Sequence, residues 1–98
     1  MIRRRPATRT WDPARHLTTD AEIMAYIEAA LEDGDAAVIA AALGDVARAR
    51  GMSEVARKAG LGRESLYKAL SPGGNPEFST VLRVLKALGL RLRAARAS

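Results

Sequence analysis

The stretch from Met52 to Leu70, MSEVARKAGLGRESLYKAL, constrains the fold more than any other part of this 98-residue chain. Two short segments with helical apolar spacing meet there at Gly60, with the small Ala56 four residues earlier and Leu61 directly after it. A glycine can adopt the positive φ of a tight turn between two helices. The spacing therefore predicts a helix-turn-helix, with an ordinary helical hairpin as the alternative.

The two faces of this corner differ in character. The positions expected to pack the two helices on each other are Val55, Ala59, Leu61 and Leu66. The positions left facing solvent are mainly basic, and they are Arg57, Lys58, Arg63, Glu64, Tyr67 and Lys68. A basic exposed face on a helix-turn-helix is typical of DNA binding, so this function is favoured over the ordinary hairpin.

The charged residues fall into three blocks, although the net charge is only +5. Residues 1–16 carry five arginines and one aspartate, and residues 17–47 carry seven acids without a lysine or arginine. Residues 48–98 carry eleven basic and three acidic residues. The basic half indicates a polyanionic partner, and the acidic block indicates a second, basic partner. The alternative for the acidic block is that it forms the solvated faces of two helices.

Composition argues against several classes of protein. Without cysteine there are no disulfides, thiolate zinc sites or cysteine nucleophiles, and the single histidine, His16, has no companion ligands. No metal or other cofactor is therefore expected. No apolar run approaches the about 20 residues that span a membrane, and no apolar segment follows the basic start. We expect a cytoplasmic protein that is not an enzyme, since no carboxylate pair has a recognisable catalytic setting.

The chain divides into two parts by composition. Residues 1–18 are expected to form an arginine-rich extended segment, in which Trp11 anchors the segment to the body. Residues 19–98 are expected to form a single all-α domain that contains the helix-turn-helix at 52–70. In each helix an apolar stripe should face the core, and these stripes include Leu31, Val38, Phe78 and Leu82.

Capping signals predict where the helices begin and end. Thr19 and Glu22 have capping-box spacing, which predicts a first helix that ends at Gly34. Asp35 should cap the second helix, which extends to about Arg50.

Further signals lie in and after the second helix. Ser53 is the expected cap of the third helix and Asn75 that of the last, which should end at Gly89. Gly44 costs about 1 kcal/mol in helix propensity, which indicates a close helix contact at that point. Residues 90–93 alternate apolar and basic, so they form either a short strand that pairs across a dimer or a basic tail with two packed leucines.

Several blocks of residues between Trp11 and Leu92 carry a resemblance to a known family. They include Trp11-Asp12-Pro13, Ala41-Ala42-Leu43-Gly44-Asp45, Leu66-Tyr67-Lys68-Ala69-Leu70, Gly74-Asn75-Pro76 and Val84-Leu85-Lys86-Ala87-Leu88-Gly89-Leu90. Together they resemble the small bacterial antidote proteins of type II toxin–antitoxin addiction modules, of the HigA-like kind with a phage-repressor-type (Xre) helix-turn-helix.

The resemblance implies a fold, a function and partners. The fold would be a five-helix phage-repressor-like domain with an extra N-terminal helix. The protein would act as a homodimer that binds operator DNA in its own promoter and neutralises a toxin of the RelE/ParE type. The recognition helix would be Arg63 to Leu70, and its candidate DNA contacts, with those from the preceding helix, are Arg57, Lys58, Gly62, Arg63, Glu64, Ser65, Tyr67 and Lys68. At Gly62, relatives often carry serine or threonine.

The toxin-binding surface is predicted from the acidic block together with the implied basic toxin. Its candidate residues are Trp11, Glu22, Tyr26, Glu28 and Glu32. The alternative function is a stand-alone phage-type transcriptional repressor with no toxin partner, because the helix-turn-helix alone does not distinguish the two.

Overall fold

The structure is a computed structural model, and it describes residues 13–97. It contains five α-helices: α1 (Asp20–Asp33), α2 (Ala36–Arg50), α3 (Met52–Ala59), α4 (Arg63–Leu70) and α5 (Phe78–Ala87). A short 3-10 helix at Pro13–His16 precedes them, and residues 13–97 contain no strand. The predicted all-α, helix-turn-helix-like fold class is confirmed. Trp11 and the arginine-rich start lie outside the described residues.

Helix α2 is the central element of the domain. It packs against the 3-10 helix, α1, α3 and α4, while α3 also packs against α4 and α5. The largest fully buried side chains are Leu43, Val46, Leu66 and Val84. Within the described part of the chain no polar or charged residue is buried. Leu17, assigned to the N-terminal segment by composition, is also buried in this core.

The capping signals of the first two helices are confirmed. The Thr19 hydroxyl accepts the Glu22 N–H at 3.1 Å, and the Glu22 carboxylate accepts the Thr19 N–H at 3.0 Å. Gly34 ends α1 with a left-handed φ of 81°. The Asp35 carboxylate then accepts the Ala37 N–H at 2.8 Å and so caps α2.

Two other capping predictions are wrong. Ser53 lies inside the first turn of α3, because the chain passes from α2 into α3 through Gly51 alone. Asn75 does not cap α5, which begins one residue after Glu77. The loop folds back first: the Gly74 N–H donates to Ser71 O at 2.8 Å, and a Cβ on Gly74 would lie 2.4 Å from Ala69 O. The chain therefore leaves this tight turn before it can enter a helix.

The prediction of a close contact at Gly44 is confirmed. A Cβ at this position would lie 2.7 Å from the carbonyl oxygen of Leu70, the last residue of α4. Glycine thus allows the end of α4 to rest directly on the backbone of α2. This approach offsets the lower helix propensity of glycine.

The alternating segment after α5 does not form a strand. Helix α5 ends at Ala87, and the Leu90 N–H donates back to Leu85 O at 2.8 Å while the Gly89 N–H donates to Lys86 O at 3.0 Å. These two bonds form a Schellman motif, which turns the chain and packs Leu90 against the core. The segment is therefore a basic tail in which Leu90 packs but Leu92, also expected to pack, is exposed. The strand alternative is wrong for the described residues.

Four side chains that were expected in the core are exposed instead. Their exposed fractions are 41% for Leu31, 41% for Val38, 67% for Phe78 and 42% for Leu82. Helical periodicity placed them on apolar stripes, but each stripe is wider than the surface that the neighbouring helices cover. None of the helices within residues 13–97 combines the length and the apolar character needed to cross a membrane.

Candidate nucleic-acid interface

Helices α3 and α4 meet at a tight turn whose geometry follows the sequence prediction. Gly60 has φ 72° and ψ 32°, in the left-handed region. Its N–H donates to Arg57 O at 3.2 Å, and the Leu61 N–H donates to Ala56 O at 2.9 Å. This is a second Schellman motif, and it fixes the direction in which the chain leaves α3. We refer to α3, this turn and α4 as the α3–α4 corner.

The interior of the α3–α4 corner is apolar. Val55 and Ala56 are each 2% exposed and Leu66 is fully buried, while Leu61 is partly buried against the same core. The packing positions predicted for the corner are therefore confirmed. With Leu70 seated on Gly44, they hold α4 in a fixed orientation on α2.

The outer surface of the corner carries all eight predicted DNA contacts. Each of them is exposed: Arg57 and Lys58 on α3, Gly62 before α4, and Arg63, Glu64, Ser65, Tyr67 and Lys68 on α4. Gly62 occupies the N-cap position of α4 and supplies no side-chain hydrogen bond there. The structure thus leaves all eight residues accessible to solvent, and their contact with DNA stays a prediction.

The cations of α3 and α4 have different surroundings. Arg57 donates to Glu54 at 2.5 Å and Lys58 lies 3.8 Å from the same carboxylate. The hydrogen bond from the Arg57 guanidinium lowers the pKa of Glu54, and Glu54 in turn raises the pKa of Arg57. Arg63 and Lys68 form no ion pair with any residue in the described range. Within the corner, the recognition-helix candidates are therefore the cations that remain available to an outside anion.

Two further basic residues adjoin this surface. Arg83 and Lys86 of α5 line a cleft together with Lys58, Ala59 and Gly89. The sequence prediction did not include them, although cations three positions apart on one helix share a face. They extend the basic surface beyond the corner on the side of Lys58.

Two of the candidate toxin contacts on α1 already have partners inside the protein. The Glu22 carboxylate accepts the Thr18 hydroxyl at 2.9 Å, and this bond is the main reason that the pKa of Glu22 is lowered. The Tyr26 hydroxyl donates to Asp45 of α2 at 2.5 Å. Burial, followed by this bond, raises the pKa of Tyr26 to about 12.

The other two acids of this set, Glu28 and Glu32, are exposed one helical turn apart. Because positions two apart on a helix point in nearly opposite directions, Glu28 and Tyr26 lie on different sides of α1. The structure therefore divides the predicted toxin contacts of α1 into two groups instead of bringing them onto one surface. Trp11, the fifth candidate, lies outside the described residues.

Comparison with known proteins defines the family. The chain matches the sequence model of the family described as "probable addiction module antidote protein" over residues 7–96. This protein belongs to that family. A protein of Haemophilus influenzae strain Rd, described as uncharacterized, is 52% identical over 83 residues, which cover 85% of this chain and 86% of that protein. No solved structure matches the chain. The predicted resemblance to antidote proteins is confirmed at the level of the family.

Proposed function

We propose that this protein is a DNA-binding antitoxin that neutralises a RelE/ParE-type toxin and represses its own operon. The observation that supports the DNA-binding part is the α3–α4 corner, where exposed Arg63 and Lys68 lie on a helix whose end packs on Gly44 of α2, in an antidote-family protein. Such a protein acts in the cytoplasm and associates with the nucleoid when it is bound to its operator.

In this proposal α4 is the recognition helix. A homodimer lays two such helices into successive major grooves, about 34 Å apart. Arg63, at the first position of α4, can pair bidentately with O6 and N7 of a guanine. Lys68, Arg57 and Lys58 contact phosphates, so the affinity falls as salt rises. Arg57 has to leave Glu54 to do so, which makes Lys68 the more accessible phosphate contact.

The backbone N–H groups in the first turn of α4 are also part of this proposal, because they need a hydrogen-bond acceptor. Gly62 offers them no side-chain oxygen, so they are open to a phosphate of the operator. Glu64 and Ser65, in the same turn, lie beside that contact, and Tyr67 lies one turn further on.

The prediction for Arg63→Ala separates base reading from phosphate binding. We expect a loss of about 1–3 kcal/mol in operator binding and relaxed specificity at one base pair. Lys68→Ala is the matched control, because loss of a phosphate contact weakens all duplexes alike and lowers the salt slope. The measurement is a titration of each variant with its own promoter and with random duplex at several salt concentrations. Equal weakening of both duplexes by Arg63→Ala would contradict the base-reading role.

The toxin is proposed to bind the outward side of α1 that carries Glu28 and Glu32. Both carboxylates are exposed and neither has an ion-pair partner among residues 13–97. Each can therefore attract a basic toxin without first breaking an ion pair within its own chain. Glu22 and Tyr26, which are engaged in the α1 cap and with Asp45, are expected to contribute less.

Toxicity rescue tests the antitoxin role. The small reading frame that adjoins this gene is expressed alone and then together with this protein, and the pair is purified for complex formation. Growth arrest that is relieved by this protein, with a stable complex, is the expected result. Glu32→Lys should weaken rescue, whereas the same charge change at exposed Glu77, at the start of α5, should not. Operator binding without arrest or complex would favour the stand-alone repressor.

A further inference from the structure

Large apolar side chains are exposed on the side of the molecule formed by α1, α5 and the tail. The exposed fraction is 67% for Phe78, 54% for Met24, 41% for Leu31 and 37% for Leu92. Single exposed apolar residues are ordinary, but a contiguous group of them indicates an interaction surface. These four residues therefore indicate an interaction surface only if they are contiguous.

Two grooves join them. The first groove runs between α1 and the tail, and its apolar lining is Met24, Ile27, Leu31, Leu85, Leu90 and Leu92. The second lies beside the start of α5, and its larger apolar lining residues are Leu31, Ile39, Pro76, Phe78, Val81 and Leu92. Leu31 and Leu92 line both grooves, so the grooves form one continuous surface. We call it the apolar face, defined by Met24, Leu31, Phe78 and Leu92.

Charges of opposite sign border the apolar face. Glu28, on α1, lines the first groove together with Arg91 and Arg93 of the tail. None of the three forms an ion pair with another residue in the described range. The face therefore has an apolar centre with an acidic border on α1 and a basic border on the tail.

We infer that two copies of this chain meet through the apolar face, an inference that rests on the proposed function because operator binding there requires a homodimer. In a two-fold symmetric pair the same patch meets itself, and an axis that runs between the two borders sets each border opposite the other border of the second copy. Glu28 then faces the partner's Arg91 and the partner's Arg93, and the reverse pairs form across the axis. Glu32 lines neither groove, so this carboxylate remains open to the toxin when Glu28 is engaged in the dimer.

The position of the apolar face suits this role. Its grooves are lined by α1, α2, the loop before α5, α5 and the tail, and by no residue of α3 or α4. Dimerisation there leaves the outer surface of the α3–α4 corner free. An exposed phenylalanine in the patch is also typical of interface composition, in which aromatic residues are enriched.

The first test is the oligomeric state of the full chain at micromolar concentration, measured by sedimentation equilibrium without DNA. The wild-type chain should be a dimer, and Phe78→Glu and Leu92→Glu should each weaken dimerisation at least tenfold. Val38→Glu is the matched control, because Val38 is 41% exposed, close to the 37% of Leu92, but lines neither groove. Its dimer should persist. A monomeric wild-type chain, or dimers that survive both changes, would overturn the inference.

A charge exchange tests the symmetry of the pairing. Glu28→Arg alone and Arg93→Glu alone should each weaken self-association, because like charges then face each other. A mixture of the two variants should form a heterodimer, since each chain supplies the charge that the other requires. Failure of the mixture to associate more tightly than either variant would overturn the two-fold arrangement.

These outcomes are separate from those of the proposed function. Operator binding by a dimer that no change in the apolar face affects would overturn the inference and leave the proposed function intact. Loss of the dimer in the variants, in a protein that binds no operator, would support the inference and contradict the DNA-binding proposal. A wild-type monomer whose apolar face is protected only after the toxin is added would overturn the inference in favour of a toxin site.

Discussion

The α1–α2 hairpin and the α3–α4 corner each hold two consecutive helices together, but they do so with different interactions. Each joins two helices through a glycine with positive φ, 81° at Gly34 and 72° at Gly60. The hairpin then uses side chains: Asp35 caps α2, and Tyr26 of α1 donates to Asp45 of α2. The corner uses its backbone Schellman bonds and a buried interior, and its second helix begins without a side-chain cap.

This comparison shows which pair of helices has polar groups left for contacts with another molecule. In the hairpin, polar side chains are largely satisfied by the hairpin itself, and the exposed remainder is acidic. In the corner the polar groups of α4 point outward and have few internal partners, so they are open to a ligand. The stability of the corner must then come from its interior and from its turn, and this can be tested.

The largest expected effect is that of Leu66→Ala in the interior of the corner. Leu66 is fully buried and belongs to the main core, so truncation loses apolar contacts and leaves a cavity. The free energy of unfolding should fall by about 2–5 kcal/mol. Urea unfolding measures it, with Ser65→Ala on the exposed face as the control. A loss below 1 kcal/mol, on the scale of surface changes, would show that the interior does not hold the corner.

The next largest effect on stability is expected at the turn of the corner, where substitutions of two nearby glycines can be compared. Gly60→Ala forces a side chain into the left-handed region and should cost about 1–2 kcal/mol, although nothing lies within 4 Å of the added Cβ. The comparison is Gly62→Ala, because Gly62 has a φ of −70°, which alanine adopts readily, and its added Cβ would make only ordinary contacts. The free energy of unfolding of this variant should change little, because the poorer N-capping by alanine is offset by the lower backbone entropy of alanine in the unfolded chain. Equal losses at the two positions would contradict a special role for the Gly60 conformation.

Local signals predicted much of the fold, because several of its features depend on residues close together in the sequence. The Thr19–Glu22 capping box, the Asp35 cap and the Gly60 turn each need only neighbours within about four positions. The contact at Gly44 could also be predicted, since an interior helical glycine indicates a close approach.

Features that depend on distant residues could not be predicted. Whether Asn75 caps α5 depends on how the loop folds onto the end of α4, and no local pattern contains this information. The bond between Tyr26 and Asp45 joins residues 19 positions apart. Periodicity marked Leu31 and Phe78 as apolar stripe residues, but it does not distinguish burial within the chain from burial against another molecule.

The hairpin is tested through Tyr26→Phe, which removes the hydroxyl bonded to Asp45. We expect a loss of about 1 kcal/mol at pH 7, where the bond is fully formed. The pKa of Tyr26 is raised from 10.0 to about 12 in the folded protein. The neutral Tyr26 hydroxyl therefore contributes fully to the free energy of unfolding below pH 10, and this contribution is lost as the pH rises through 12. Stability of the wild-type chain should therefore fall more steeply between pH 10 and 12 than that of the variant.

Unfolding by urea at a series of pH values measures this difference. Tyr67→Phe is the control, because Tyr67 is more than half exposed and lies on α4. Curves for wild type and Tyr26→Phe that coincide at every pH would mean that the half-buried Tyr26 hydroxyl and its bond to Asp45 do not stabilise the hairpin.

The smallest expected effect concerns the N-termini of α2 and α4, of which only α2 has a side-chain cap. Gly62 has φ −70° and ψ 143°, which serine adopts without strain, and an added Cβ would lie 3.8 Å from the Ser65 Oγ. Gly62→Ser should raise the free energy of unfolding by a few tenths of a kcal/mol, about the advantage of serine over glycine at an N-cap. Asp35→Gly should lower it by about the same amount, since it removes the corresponding cap from α2. Opposite changes would mean that the corner carries an uncapped helix start while the hairpin does not. Changes of the same sign would mean that packing onto α2, and not capping, sets the stability of both helix starts.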